Sequence, residues 1–217
     1  MATSAADTKA QELVDSPRGR EIREVATRLF HAEGFHVVGM RRIAKEIGIN
    51  TAGLYYYFPS KSEILYVICL EVTKNFVDEH LPILYGDAPG PELLKQLVRQ
   101  HILYFWDHRF AMDVALRDHR SLPAEQREDI RSHRRRYQTA IQSFIAEGTK
   151  RGEFDVSDAR LAGLALLDMI NGINSWFRPN QPYSMEELAS QYADFGVENL
   201  LRRLPSGSKR RGGSNDE

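Results

Sequence analysis

Residues 43–61 read IAKEIGINTAGLYYYFPSK, and this stretch decides the fold. Ile43, Ala44 and Ile47 recur at helical spacing and the short helix they mark ends at Gly48. After the joint Gly48-Ile49-Asn50, a second very short helix runs from about Thr51 to Tyr57 and ends before Pro59. Ser60-Lys61-Ser62-Glu63 forms a capping box, with Ser60 as cap and Glu63 reaching back. It opens a longer helix through Ile64, Leu65, Val67, Ile68 and Val72 towards His80. Upstream, Pro17 follows Asp15 and Ser16, a cap-then-proline start. Ile22, Val25, Ala26, Leu29 and Phe30 then make one apolar stripe that Gly34 stops. Three helices within about forty residues, the second and third short, have the proportions of a helix-turn-helix.

Charge supports a nucleic-acid surface there. From Arg18 to Lys61 eight basic residues face four acidic ones, a local +4 in a chain whose formal net charge is −1. Affinity for a phosphate backbone needs such a patch. In the helix 51–57 only Leu54 reads as core, which leaves the rest of its surface outward. The small residues at its start let the backbone enter a major groove, while tyrosine hydroxyls reach phosphates and their rings lie on sugars or thymine methyls. Three consecutive tyrosines point about 100° apart on a helix, so they cannot all be buried on one side. Lys61, in the first turn of the next helix, sits where N–H groups and the positive dipole end also favour phosphate.

The ordered set Ala26, Leu29-Phe30, Glu33-Gly34-Phe35, Ile43-Ala44, Gly48-Ile49, Leu54 to Phe58 and Pro59-Ser60-Lys61 resembles the N-terminal domain of the TetR family. That resemblance implies a homodimer reading palindromic double-stranded operator DNA with one recognition helix per subunit. It assigns DNA contacts to Asn50, Thr51, Ala52, Tyr55, Tyr56, Tyr57 and Lys61. The family usually opens its second helix with Thr or Ser, which cap it and touch phosphate. This chain has Val38-Gly39-Met40 there, and Arg41 or Arg42 is the expected replacement.

Beyond the break 81–91, five more helices are expected: Glu92 to about His108, Phe110–Arg117, Pro123–Lys150, Ser157–Phe177, and a last one from the capping box Ser184-Met185-Glu186-Glu187 to about Arg203. The whole is an all-α chain of about nine helices. Its expected domains are a disordered tail over 1–16, a DNA-binding domain over 17–62, a ligand and dimerisation bundle over 63–204, and a disordered basic tail over 205–217. The helix 157–177 is apolar nearly all round and so should be buried on every side. One side packing in the subunit and the other on a partner achieves this, with Leu164, Leu188, Tyr192 and Phe195 at the dimer interface. Asp168, Asn171 and Ser175 make a polar stripe along it, either lining a ligand cavity or forming a satisfied structural network. His101, Tyr104, Phe105 and Trp106 give an aromatic wall, although a lone histidine such as His101 is more often core.

Trp176-Phe177-Arg178-Pro179, followed by Pro182 and Glu-Glu-Leu, resembles TetR-type regulators that answer acyl-CoA thioesters. That resemblance implies an acyl chain among Phe105, Leu167 and Ile170, near Asp168 and Asn171. The coenzyme phosphates would then fall to Arg109, Arg117 and Arg134. The duller account of the basic run 131–136 is a solvated helix face paired with Glu125, Glu128 and Asp129. A drug-like hydrophobic effector is the other effector class, and a constitutive DNA-binding protein without an inducer stands beside both.

Composition excludes several classes. An apolar fraction of 42 % suffices for a core, and the single Cys69 rules out an internal disulfide or a multi-cysteine zinc site. The first fifteen residues carry no apolar run, and Leu161–Ile170 is short and broken by Asp168, so a soluble, cytoplasmic chain with no membrane partner is expected. No HExxH, GxSxG, Walker or GxGxxG motif occurs, and His101 and His108 lack a third ligand. No enzyme, cofactor or metal is therefore expected.

Overall fold

The structure, a computed structural model, describes residues 12–178 and 182–201. Those residues are helical throughout, without a strand, as the periodicity requires. The α-helices are α1 Pro17–Glu33, α2 Met40–Ile47, α3 Thr51–Tyr57, α4 Lys61–His80, α5 Gly90–Asp107, α6 Arg109–Asp118, α7 Ala124–Lys150, α8 Ala159–Trp176 and α9 Met185–Asp194. Short 3-10 turns cover Leu81–Tyr85 and His119–Ser121, and α9 widens into a π-helical segment over Phe195–Leu200.

Local chemistry explains the boundaries. Ser16 caps α1 by accepting from the Gly19 amide at 3.0 Å, and Pro17 fills the first position, where a missing N–H costs nothing. Gly48 ends α2 at φ 76°, in the left-handed region that glycine enters without a Cβ penalty. The box at Ser184 closes in both directions with Glu187. At Ser60 the forward half forms, the hydroxyl accepting from the Glu63 amide, while the Glu63 carboxylate accepts from Gln126 Nε2.

The chain packs as two compact units, Met1–Glu79 with Tyr104–Tyr137, and His80–Leu103 with Gln138–Glu217. In the first, Ile22, Phe30, Ile43, Leu54 and Phe58 are fully buried, and Phe35 meets Phe30 edge-on at 5.3 Å. In the second, Leu94, Leu97, Ile141, Ile145, Leu166 and Ile170 form the core. There Gly196 of the π segment leaves room for Leu166, whose Cδ1 would lie 2.7 Å from a Cβ. Lys95 on α5 ties down that segment through Asp194 at 3.0 Å and Glu198 at 2.9 Å.

Two expectations change. The tail expected to be disordered over 1–16 is ordered from residue 12: residues 12–15 are helical, Val14 is buried, and the Val14 carbonyl accepts from Arg23. The remainder of that tail and the one over 205–217 lie outside the described residues. Nor is α8 buried all round. Leu161 and Trp176 on it are exposed, and so are Asp168, Asn171 and Ser175 of the polar stripe.

Candidate DNA-binding and effector sites

Helix α3 is held by two anchors. Asn50 caps it, its Oδ1 accepting from the Gly53 amide, and Leu54 is its sole buried residue. A cap contributes about 1 kcal/mol and a fully buried leucine about 2–5 kcal/mol against alanine. Everything else on α3 faces away from the core. Tyr55 is 50 % exposed and Tyr56 59 %, Tyr57 is half-buried against Tyr56 at 5.3 Å, and Thr51 and Ala52 are accessible. Asn50 thus has a structural task that its place in the sequence did not reveal.

Lys61 has one as well. Its ammonium donates to the Phe35 carbonyl at 2.7 Å and to that of His36 at 3.5 Å, and lies 4.4 Å over the Phe35 ring. Partial burial holds its pKa below the usual lysine range. It fastens the start of α4 to the loop between α1 and α2. Helix α2 opens at Gly39 with no side-chain cap. The two arginines behind it differ. Arg42 is shared between Glu33 at 3.1 Å and Glu46, whereas Arg41 is exposed and in no ion pair among the described residues. Cation for phosphate is therefore available at Arg41 and largely cancelled at Arg42.

Helix α1 is clamped to α6 at its last turn. Arg117 Nη2 donates to the Phe30 carbonyl at 2.7 Å and to Asp118 at 2.9 Å, and Nη1 donates to Asp113 at 2.9 Å. His31 Nδ1 donates to the same Asp113 carboxylate at 2.8 Å, and its ring lies 4.6 Å from that of Phe110. The Phe30 carbonyl also accepts from the Gly34 cap amide at 3.0 Å, so the guanidinium is its second donor, and a cation complements that end of the helix dipole.

The residues expected to hold an effector are not brought together as one group. His101, Leu167, Asp168 and Asn171 belong to one unit, and Phe105, Arg109, Arg117 and Arg134 to the other. His101 is 2 % exposed and its Nε2 lies 3.2 Å from Asn171 Oδ1. An amide oxygen only accepts, so Nε2 carries the proton. Burial, and secondarily the neighbouring His80, drive the His101 pKa down to about 3, so the ring is neutral. Leu167 is buried and Asp168 exposed. Of the expected phosphate cations, Arg117 is occupied as described. Arg134 is half-buried, donates to the Ala115 carbonyl at 3.1 Å, and has its pKa lowered by that burial. Arg109 is exposed like Arg117 but is in no ion pair among the described residues; it stacks over Trp106 and Phe110 at 4.9 and 4.7 Å and donates to the Trp106 carbonyl at 3.2 Å. The rest of the basic run is paired: Arg131 and Arg135 with Glu128, Arg136 with Asp78.

At the expected subunit seam, Phe195 is 56 % exposed, while Tyr192 and Leu164 are half-buried. Leu188 is a correction. It is 4 % exposed within its own unit and has no surface left for a partner. The same two stretches also expose Leu161, at 64 %, together with Trp176 and Leu200. Leu161, Ala165, Asp168, Gly172 and Trp176 follow at spacings of four and three, one face of α8, and that phase was the available signal. A Cβ at Gly172 would meet nothing within 4 Å.

Among the described residues no helix is long and apolar enough to cross a membrane, and no cluster of His, Cys, Asp and Glu could hold a metal. Comparison with known proteins gives the architecture its relatives. Residues 22–67 match "Bacterial regulatory proteins, tetR family", and residues 87–200 match "Tetracyclin repressor-like, C-terminal domain". The chain belongs to the TetR family. It is 32 % identical to the TetR-family transcriptional regulator PfmR of Thermus thermophilus, covering 83 % of this chain and 99 % of that one with a TM-score of 0.76. It is 24 % identical over 187 residues to the fatty acid metabolism regulator protein of Bacillus subtilis, covering 85 % of this chain and 96 % of the relative. The fold is also that of AibR, whose structure holds isovaleryl coenzyme A and operator DNA (23 % identity, 81 % and 96 % covered, TM-score 0.73). TetR regulators bind operator DNA and act as dimers, and the family and fold of this chain are those of DNA-binding regulators. It is a transcriptional regulator.

Proposed function

We propose that this TetR regulator is a cytoplasmic homodimeric repressor that grips a palindromic operator and lets go when an acyl-CoA thioester binds. The observation that carries the DNA half is α3: capped by Asn50, pinned by Leu54, and with Ala52, Tyr55 and Tyr56 exposed. Thr51, Ala52, Tyr55, Tyr56 and Tyr57 meet the groove and Arg41 a phosphate, while Asn50 and Lys61 act chiefly by holding the helix and its flank in place. Residues 17–62 form the DNA-binding domain and 63–204 the ligand and dimerisation domain.

Dimerisation rests on exposed apolar side chains at the end of the chain. Leu161 and Trp176 on α8, with Phe195 and Leu200 on the π segment, need cover that a second copy supplies. Gly172 lets a partner helix approach closely. The effector class rests on kinship with the B. subtilis fatty acid metabolism regulator and on the fold shared with AibR. Within the second unit the Asn171 amide is exposed and available to a thioester, while His101 is buried and holds that amide in place. A ligand releases DNA only by its differential affinity for two states, so a hundredfold preference supplies about 2.7 kcal/mol against operator binding.

The test is selection of genomic fragments by the purified protein, followed by gel shifts on the selected site with acyl-CoA esters, free fatty acids and hydrophobic drugs. A palindromic site released by a CoA ester alone is the expected result. Response only to a free acid or a drug would sink the thioester assignment. Failure to select any palindrome would sink the repressor reading itself.

A further inference from the structure

The first unit contains a cleft of about 560 Å³ between α1 on one side and α4, α5 and α6 on the other. Its size lies in the range of small-molecule sites. We propose that this cleft binds an organic cation, an alkyl- or arylalkylammonium, against an aromatic floor. Nothing in the acyl-CoA reading uses the cleft, and the two ligands differ in charge.

The floor consists of Tyr104 and His108, stacked at 3.9 Å with their planes 17° apart, with the half-exposed Phe110 beside them. Tyr104 is fixed, its hydroxyl donating to the Val72 carbonyl at 3.3 Å. His108 Nδ1 lies 3.0 Å from the Tyr104 carbonyl, which can only accept. Nδ1 therefore donates, and Nε2 is the ring atom left to meet a ligand. Cations favour such a floor because the faces of aromatic rings carry negative potential.

Charge around the floor favours a cationic ligand. Glu24, Glu71, Glu79 and Asp107 line the cleft, together with Arg20, Arg23 and Arg28. Arg23 is consumed by Glu71 at 2.9 Å and by the Val14 carbonyl. Arg20 donates to the Asp15 carbonyl at 3.1 Å. Arg28 lines the cleft in no ion pair among the described residues, so four carboxylates stand against three arginines there. Glu24, Glu79 and Asp107 have no ion-pair partner among the described residues. The floor registers the carboxylates: burial pushes the Tyr104 phenol up to about 12, with Glu79 and Glu71 adding to the rise. The lining carries one more carboxylate than guanidinium, so an ammonium is favoured over an anion and gains from Glu79, Asp107 and the outer face of the exposed His108 ring.

The experiment is calorimetry on the full-length protein with phenethylammonium chloride, the neutral phenethyl alcohol and the anionic 3-phenylpropionate. One ammonium per chain is expected, bound about tenfold tighter than the alcohol, with no heat from the propionate. Glu79→Gln and Asp107→Asn should each weaken binding about threefold, and together about tenfold, because partly exposed ion pairs are modest individually. Both carboxylates are exposed, and thermal unfolding of the variants confirms that they fold. Glu147→Gln, in the other unit, should change nothing. Binding of the propionate as tightly as the ammonium, equal affinity in the double variant, or no ammonium binding at millimolar ligand would each overturn the proposal. None of those outcomes bears on whether a CoA ester releases operator DNA.

Discussion

Arg117 offers the sharpest discrimination between a ligand contact and a structural clamp. Replacing it with Met keeps the aliphatic stem and removes the guanidinium. The bond to Asp113 contributes little, because its partners are 43 % and 42 % exposed and solvent screens them. The two remaining contacts matter more. Asp118 is only 8 % exposed at its side chain and is gripped through both Nε and Nη2, and the Phe30 carbonyl loses a charged donor at 2.7 Å. Hydrogen bonds to charged groups are worth about 1.5–3 kcal/mol each, and partial exposure of the guanidinium trims that. A net loss of about 2–3 kcal/mol follows, or roughly 4–12 °C in unfolding temperature for a chain of this size. Because Phe30 is in the last turn of α1, which leads to α2 and α3, operator affinity should fall with stability. Calorimetric unfolding and gel shifts on the same preparation measure both. An unchanged unfolding temperature, with response to CoA esters lost, would refute the clamp and return Arg117 to the effector site. Asp113→Asn should cost much less, since it leaves the Phe30 and Asp118 contacts intact.

Three further outcomes are expected. Leu161→Glu and Phe195→Glu place unpaired charges in the proposed seam at a cost of order 3 kcal/mol or more, so sedimentation should find monomers; Leu188→Ala should lower stability instead, by about 2–5 kcal/mol, without that specific effect. Arg41→Ala should reduce the salt dependence of operator affinity by about one unit of slope across all sequences, and Tyr56→Ala should alter the preference among operators; gel shifts over a salt series read both, and equal slopes would remove Arg41 from the interface. His101 sets an acid limit. Its folded pKa of about 3 lies below the ordinary 6.5, so the unfolded chain binds the extra proton first. Its contribution is therefore whole above pH 6.5 and declines as pH falls towards 3, by at most about 1.4 kcal/mol per pH unit. His101→Gln, which can still donate to Asn171, should flatten that decline in urea titrations.

Helix order, most helix ends and the core face of the DNA-binding half follow from the sequence alone. Apolar periodicity, the Ser16 and Ser184 caps and the stop at Gly48 are local, acting within one turn of the residues that encode them. The same locality makes Leu54 legible as the anchor of α3, because on so short a helix only one apolar residue points at the core. Tertiary structure alone decided the fate of the charges. Arg42, Arg117 and Arg134 look like open cations in the sequence, yet each finds a carboxylate or carbonyl on another helix, because long side chains reach across helix contacts that periodicity within one helix does not specify. It also decided which leucines are available at the end of the chain. On α8 the positions Ala165, Asp168 and Gly172 mark the open face, but only packing within the unit decides that Leu188 of α9 is covered while Leu161 of α8 is exposed.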